Sequence, residues 1–235
     1  MTIDAAIVAG GRGARMAPAT DHIPKPMLAI GGKPILEHQI SWLKASGFSK
    51  IFLCLGYKAD AVRSFFGDGH GWGMSLRYSI ETSPRGTAGA VRDLLPMIKA
   101  DDILVVYGDL YVSMDCRKLL DYHRSHAAAA TLVVCETDHP FDSDLARLEG
   151  DRITGFFRAK PGEAYENLAC AAVWIVRRRL LDLVPKDTQS DFGRDIFPRA
   201  LASGEVLMAY RTSEQVVDLG TPERREAFLR GYKAS

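Results

Sequence analysis

Short apolar runs alternate, through the first half of the chain, with stretches whose apolar positions recur every three to four residues. An unbroken apolar run predicts a strand buried on both faces, and the three-to-four spacing predicts an amphipathic helix. Strands are expected at Ala5–Ala9, Lys50–Leu55, Ser75–Ser79 and Ile103–Tyr107, and helices at Leu36–Ser46, Asp60–Phe66 and Thr87–Leu95. Strand and helix in alternation is the pattern of βαβ units, which feed a parallel sheet.

The second half is mixed. A helix at Arg117–His126 precedes extended stretches at Ala130–Cys135, Ala146–Leu148, Ile153–Phe157 and Leu168–Val176. Helices follow at Arg178–Val184, Phe192–Ser203 and Pro222–Tyr232, with the residues after Tyr232 frayed. The expectation is an α/β fold: one domain over residues 1–235, built on a mixed, mostly parallel central sheet flanked by helices.

A chain of 235 residues that is 47% hydrophobic is long enough to bury a full core. Its 30 lysines and arginines balance 29 acidic residues, so a net charge of +1 gives no global attraction to nucleic acid or membrane. Any phosphate must be bound by local groups. Cys54, Cys116, Cys135 and Cys170 lack zinc-ligand spacing and read as reduced thiols of a cytoplasmic protein. The opening MTIDAAIVAGG has no basic region, and no segment reaches the roughly 20 apolar residues of a membrane span, so neither signal peptide nor anchor is expected. Oligomeric state is left open, a homo-oligomer included.

Candidate chemistry begins where the first strand meets Ala9-Gly10-Gly11-Arg12-Gly13-Ala14-Arg15-Met16. Glycines let backbone N–H groups approach an anion, and Arg15 adds a cation; a glycine-rich turn without a ligand is the other reading. The run is neither a P-loop, which needs G-x-x-x-x-G-K-[ST], nor a dinucleotide fingerprint, which wants G-x-G-x-x-G and an acid after the second strand, where Leu55-Gly56-Tyr57 stands. Next, Ile23-Pro24-Lys25-Pro26-Met27 holds a lysine between two prolines of fixed φ, stiffly mounted for phosphate unless it is an ordinary solvated loop lysine. Asp109 ends an apolar strand, where open α/β sheets bind ligands, although a turn carboxylate or helix cap fits that position too. Asp218 and Thr221 stand before Pro222 and Glu223 in the pattern of a helix cap.

The run GGRGARMAPATDHIPKPMLAIGGKPILEHQI resembles the signature of the sugar-1-phosphate nucleotidyltransferase family, G-G-x-G-x-R-[LM]-x-P-x-T followed by P-K-P. Gly86-Thr87-Ala88-Gly89 resembles that family's nucleotide loop, Tyr107-Gly108-Asp109 its metal-binding G-D, and Asp218-Leu219-Gly220-Thr221-Pro222-Glu223 its D-x-G-T-P-E. Mannose-1-phosphate and heptose-1-phosphate guanylyltransferase-like members look most similar. The resemblance implies a Rossmann-like domain with a nucleotide-binding part at about 1–115 and a sugar-phosphate-binding part at about 116–235. It implies that an NTP, with GTP the first choice, reacts with a sugar 1-phosphate, mannose- or heptose-1-phosphate, to give an NDP-sugar and pyrophosphate. A protein that binds nucleotide or NDP-sugar without turnover is the alternative.

The same resemblance distributes roles. Gly10, Gly11, Gly13, Arg15, Lys25, Glu81, Gly86, Thr87 and Asp109 fall to the nucleotide, with Arg15, Lys25 and Asp109 catalytic. Asp109 and Asp218 are implied to hold Mg²⁺, and oxygen ligands suit that ion. Glu81 offers acceptors to a guanine edge, against the default of a surface glutamate. Ala159-Lys160-Pro161 resembles the family's E-K-P, which gives Lys160 to the sugar phosphate together with Cys170, Ala171 and Ala172. The attacking phosphate oxygen is already anionic, so no general base is expected. The chain departs from the pattern at Ala14, Tyr107, Ala159 and above all Cys170-Ala171-Ala172, where relatives often read N-A-G, and this points to an unusual, less polar sugar.

Overall fold

The computed structural model describes residues 2–232, and the fraying expected after Tyr232 falls on residues 233–235, outside them. In chain order the elements are β1 (Ile3–Ala9), β2 (Ala29–Ile30), β3 (Lys33–Pro34), α1 (Ile35–Ala45), β4 (Lys50–Leu55), α2 (Ala59–Phe66), β5 (Ser75–Ile80), α3 (Gly86–Arg92), β6 (Asp102–Tyr107) and β7 (Leu110–Ser113). They continue with α4 (Cys116–Ser125), β8 (Ala130–Cys135), β9 (Leu145–Glu149), β10 (Arg152–Phe157), β11 (Ala169–Arg177), α5 (Phe197–Ala202), β12 (Leu207–Arg211), β13 (Gln215–Asp218) and α6 (Pro222–Gly231). Among the described residues no helix is long and apolar enough to cross a membrane.

Contacts divide the chain into two compact units. The first comprises Asp4–Pro84, Val106–Met114 and the segment from Gln215 onward. Here β1, β4 and β5 run parallel, Val8 opposite Cys54 and Cys54 opposite Ser79, with the end of β6 beside β1. β4 is buried from Ile51 through Leu55, the continuous apolar run that a strand covered on both faces requires. Helix α1 buries Ile35, Leu36, Gln39, Ile40 and Leu43, one face at helical spacing. Two short ladders, β2 with β3 and β7 with β13, complete this unit.

The second unit comprises the amino-terminal residues through Ile3, Arg85–Val105 and Asp115–Glu214. Its strands follow the start of β6 in the order β11, β8, β12, β10, β9. The parallel pairing that the alternating first half predicts holds in the first unit. In the second, β8 runs antiparallel to β11, and β10 antiparallel to β9 and β12, while β12 runs parallel to β8.

Boundaries differ from expectation where prolines intervene. The helix expected at Thr87–Leu95 ends at Arg92, three residues before the Leu95-Pro96 pair, whose proline disfavours helical backbone in the residue before it. Arg178–Val184 is a 3-10 helix over Arg178–Leu183, and Val184, before Pro185, is extended. The single helix expected at Phe192–Ser203 is a π turn, Phe192–Ile196, followed by α5, because Pro198 lacks an N–H and is tolerated only in a helix's first turn. β7, β12 and β13 carry too few residues in too weak an alternation to be read from sequence.

Candidate functional site

In the first unit, Gly10, Gly56 and Glu81 follow β1, β4 and β5, the carboxyl ends where parallel sheets take ligands. The structure brings Glu81 to the glycine loop: a Cβ on Gly10 would lie 2.6 Å from Glu81 Oε1, so a side chain there would push the carboxylate away. Gly13 is left-handed, with Lys25 Cβ 3.2 Å from where its own Cβ would stand, while Gly11 faces open space. Ala14–Met16 forms a 3-10 turn that buries Met16 and leaves Arg15 exposed. Met16 anchors the turn to Leu28, Ile30, Ile35 and Leu219.

Lys25 is not in an extended loop. It opens a 3-10 turn, Lys25–Met27, closed by hydrogen bonds from Met27 N–H to Pro24 O (2.8 Å) and from Leu28 N–H to Lys25 O (3.0 Å). Its side chain is 9% exposed and its Nζ donates to Asp109 Oδ2 at 2.7 Å, so the two catalytic candidates form one ion pair. A hydrogen-bonded pair so shielded from water is stronger than a surface one.

Asp109 follows β6 in a turn that α1 holds. Buried Gln39 donates through Nε2 to Tyr107 O (2.7 Å) and to Leu110 O (2.8 Å), the carbonyls on either side of Gly108 and Asp109. Trp42 Nε1 donates to Met114 O at 2.8 Å, just beyond β7. Asp218 arrives on β13, opposite Leu110, and Leu219 N–H donates to Asp109 O at 3.0 Å. The backbones at the two proposed metal ligands are thus joined, Asp218 opposite Leu110 and Leu219 bonded to Asp109. Asp218 accepts from Gly220 N–H through Oδ1 (2.6 Å) and from Arg224 through Oδ2. The cap read from sequence is present, with Thr221 Oγ1 accepting from Arg224 N–H at 3.3 Å and Pro222 opening α6.

Among the described residues no group of three His, Cys, Asp or Glu side chains could enclose a metal. The carboxylate oxygens of Asp109 and Asp218 nevertheless suit Mg²⁺, which accepts few protein oxygens and completes its shell with water and phosphate.

In the second unit, Gly86 and Thr87 open α3 against Ser190 and Asp191. Thr87 N–H and Oγ1–H both donate to Asp191 Oδ1, at 3.0 and 3.2 Å. Lys160 is 74% exposed, with Glu163 at 3.9 Å. Cys170, Ala171 and Ala172 lie in β11 where its register against β8 shifts between Cys170 and Trp174, and Ala172 is left-handed at φ 53°. An irregularity of this kind re-aims side chains. Burial, with Asp144 and Cys135 adding negative charge, pushes the Cys170 thiol up to about 12, so it is a neutral group.

The model of the Nucleotidyl transferase family matches residues 4–230. The chain belongs to the nucleotidyl transferase family. As a member it is 31% identical to a mannose-1-phosphate guanylyltransferase of Mycobacterium tuberculosis, over 97% of this chain and 63% of that protein. It is 28% identical to a UTP–glucose-1-phosphate uridylyltransferase of Synechocystis, over 92% of this chain and 60% of that one. The chain therefore spans just under two thirds of the length of these relatives. The structure of HddC from Yersinia pseudotuberculosis complexed with GMP-PN superposes with a TM-score of 0.84, at 25% identity over 99% of this chain and 100% of that one. A putative glucose-1-phosphate thymidylyltransferase from Bacillus anthracis shares the fold, with a TM-score of 0.87 at 23% identity over 100% of this chain and 98% of that one. These likenesses show a single α/β domain with a mixed sheet flanked by helices.

Sequence reasoning about this nucleotidyl transferase missed three residues that hold its candidate site. Gln39 is a polar residue on the apolar face of α1, a mismatch that could have flagged it. Arg224 lies just past the D-x-G-T-P-E run, whose cap drew attention away from its side chain. Asp191 carried no signal, because only the tertiary fold sets it on Thr87.

Proposed function

We propose that this chain transfers a nucleotidyl group from an NTP to a sugar 1-phosphate, releasing pyrophosphate and forming an NDP-sugar, with GTP and mannose- or heptose-1-phosphate as its substrates. The observation that carries this reading is the β7–β13 pairing, which sets Asp218 beside an Asp109 already ion-paired to Lys25. The names of the relatives and the GMP-PN in HddC support the choice of base and acceptor.

A nonbonding oxygen of the sugar phosphate bonds to the α-phosphorus while the bond to the β-phosphate oxygen breaks and pyrophosphate leaves with the electron pair. The nucleophile arrives deprotonated, so the chain's task is to position two polyanions and offset their repulsion. Arg15, exposed on its short turn, and Lys25 supply cations to the triphosphate. The loop of Gly10, Gly11 and Gly13 supplies backbone donors. Glu81, against Gly10, accepts from the base. Gly86 and Thr87 shape the base and ribose side, and Lys160, Cys170, Ala171 and Ala172 belong to the sugar phosphate. Asp109 and Asp218 would hold Mg²⁺, which when bound neutralises phosphate charge. Four cysteines outside any disulfide and substrates of this class fit a cytoplasmic protein.

Pyrophosphate release tests the proposal, measured with Mg²⁺ over a matrix of GTP, ATP, UTP, CTP and dTTP against mannose, heptose, glucose and N-acetylglucosamine 1-phosphates. Release with GTP and mannose- or heptose-1-phosphate is expected. Silence across the matrix with NTP binding intact would instead favour a binding protein of the same fold.

A further inference from the structure

We propose that Asp191 is a positioning residue for the nucleotide, acting through the Gly86–Gly89 turn; this rests on the reading of that turn as a nucleotide contact. The first N–H groups of a helix are the ones an anionic ligand usually takes. In α3 they are taken already. Thr87 N–H goes to Asp191 Oδ1 (3.0 Å), and Ala88 and Gly89 N–H go to Ser190 O (2.9 and 3.2 Å). The Thr87 hydroxyl donates to the same Asp191 oxygen (3.2 Å) and accepts from Phe192 N–H (3.0 Å). Ser190 N–H closes the arrangement on Arg85 O at 2.9 Å.

Gly86 completes the lock. Its φ is +70°, and a Cβ there would stand 2.8 Å from the Ser190 carbonyl carbon and 2.9 Å from its nitrogen. The turn is therefore preformed against residues 190–192, and a carboxylate occupies the place where a phosphate would otherwise dock. A triphosphate at this point would meet like charge, whereas a neutral base or ribose meets a surface already fixed in shape. Asp191 contributes the shape without contacting the nucleotide.

Asp191 is itself held. Its N–H donates to Asp195 Oδ2 at 2.8 Å and its Oδ2 accepts from Arg194 at 2.6 Å. Its carbonyl takes both Asp195 and Ile196 N–H (2.9 and 3.2 Å), which makes the π turn, a feature that recurs at functional sites. The residue thus ties a rigid turn to a segment 104 positions earlier in the chain.

The test combines amide hydrogen exchange at Thr87–Gly89 with calorimetric titration of Mg·GTP and Mg·UTP into the full chain. Asp191→Ala should speed exchange at those amides and weaken binding of the preferred nucleotide by about 10-fold, roughly the effect of losing one or two charge-assisted hydrogen bonds from a preorganised surface. Asp191→Asn, whose amide oxygen still accepts, should restore most of both. Arg194→Ala removes only the outer ion pairs, to Asp191 and Asp195, and should leave both near wild type, a pattern that a merely structural role would not give. Asp191→Ser, too short to reach Thr87, serves if the alanine variant does not fold. Unchanged exchange in the Asp191 variants would overturn the positioning role. Faster exchange with unchanged nucleotide affinity would overturn it differently, by showing that the turn is held by Asp191 but does not meet the nucleotide.

Discussion

Lys25 and Lys160 stand beside prolines in similar-looking short motifs, yet the fold treats them in opposite ways. Lys25 is 9% exposed, set in a 3-10 turn and bonded to Asp109 at 2.7 Å; Lys160 is 74% exposed, with Glu163 at 3.9 Å. The difference extends to their surroundings. Around Lys25 and Asp109, Gln39, Trp42, Leu219 and Arg224 fix backbone and carboxylates from several sides. Lys160 stands in the loop between β10 and β11, and past Cys170 the strand shifts register and Ala172 adopts a left-handed backbone. Under the proposed roles, the phosphate and metal side is rigidly mounted, and the sugar side combines a solvated lysine with a half-buried, irregular strand.

The comparison can be broken most directly at Lys25. Lys25→Ala should lower turnover by about 100-fold or more and also lower the melting temperature, because it removes a transition-state cation and leaves Asp109 without its partner. A variant with near-normal kcat would end the distinction. Next, Gln39→Leu strips two buried carbonyls of their donor and should cost about 2 kcal/mol, a Tm fall of roughly 4–8 °C by thermal unfolding, with weakened Mn²⁺ binding as the Asp109 turn loosens. Lys160→Ala should raise the sugar-phosphate KM by about 10-fold while Tm and the NTP KM stay in place, since a solvated lysine gives up substrate contact and little else.

Smaller effects sharpen the sugar side. Ala172→Gly should stabilise the protein by about 0.5–1 kcal/mol in urea unfolding, because a left-handed backbone strains alanine and suits glycine. A loss of stability would mean that the methyl packs favourably. Cys170 gives a pH signature. Its folded pKa is raised, so its contribution is fully present below the ordinary thiol range near 8.5 and is lost as pH rises toward about 12. Urea midpoints from pH 8.5 upward should decline less steeply in Cys170→Ala than in wild type. Cys135, also raised by burial, keeps the rest of that slope.

Periodicity made most of the regular elements legible. β4 and β8 match their expected bounds, and α1, α2, α4 and α6 shift by only a residue or so: α1, α2 and α4 each bury an apolar face, and α6, with no fully buried residue, is set by its Thr221 cap and Pro222. The short β7 and β13 escaped notice, although their pairing joins the backbones at Asp109 and Asp218. Their four residues each carry too little pattern, and their pairing links positions far apart in the chain.

Local chemistry along the chain determined the α/β class, the glycine and Pro-Lys-Pro loops, the carboxylate after β6, the cap of α6 and the resemblance to a family. These depend on φ limits, hydrophobic spacing and side-chain type, all properties of neighbouring residues. Tertiary structure alone decided that Lys25 meets Asp109, that Glu81 lies against Gly10, that Gln39 clamps the Asp109 turn and that Asp191 occupies the start of α3. Those are contacts between residues distant in sequence, set when packing chooses one register among many, and no local pattern encodes that choice.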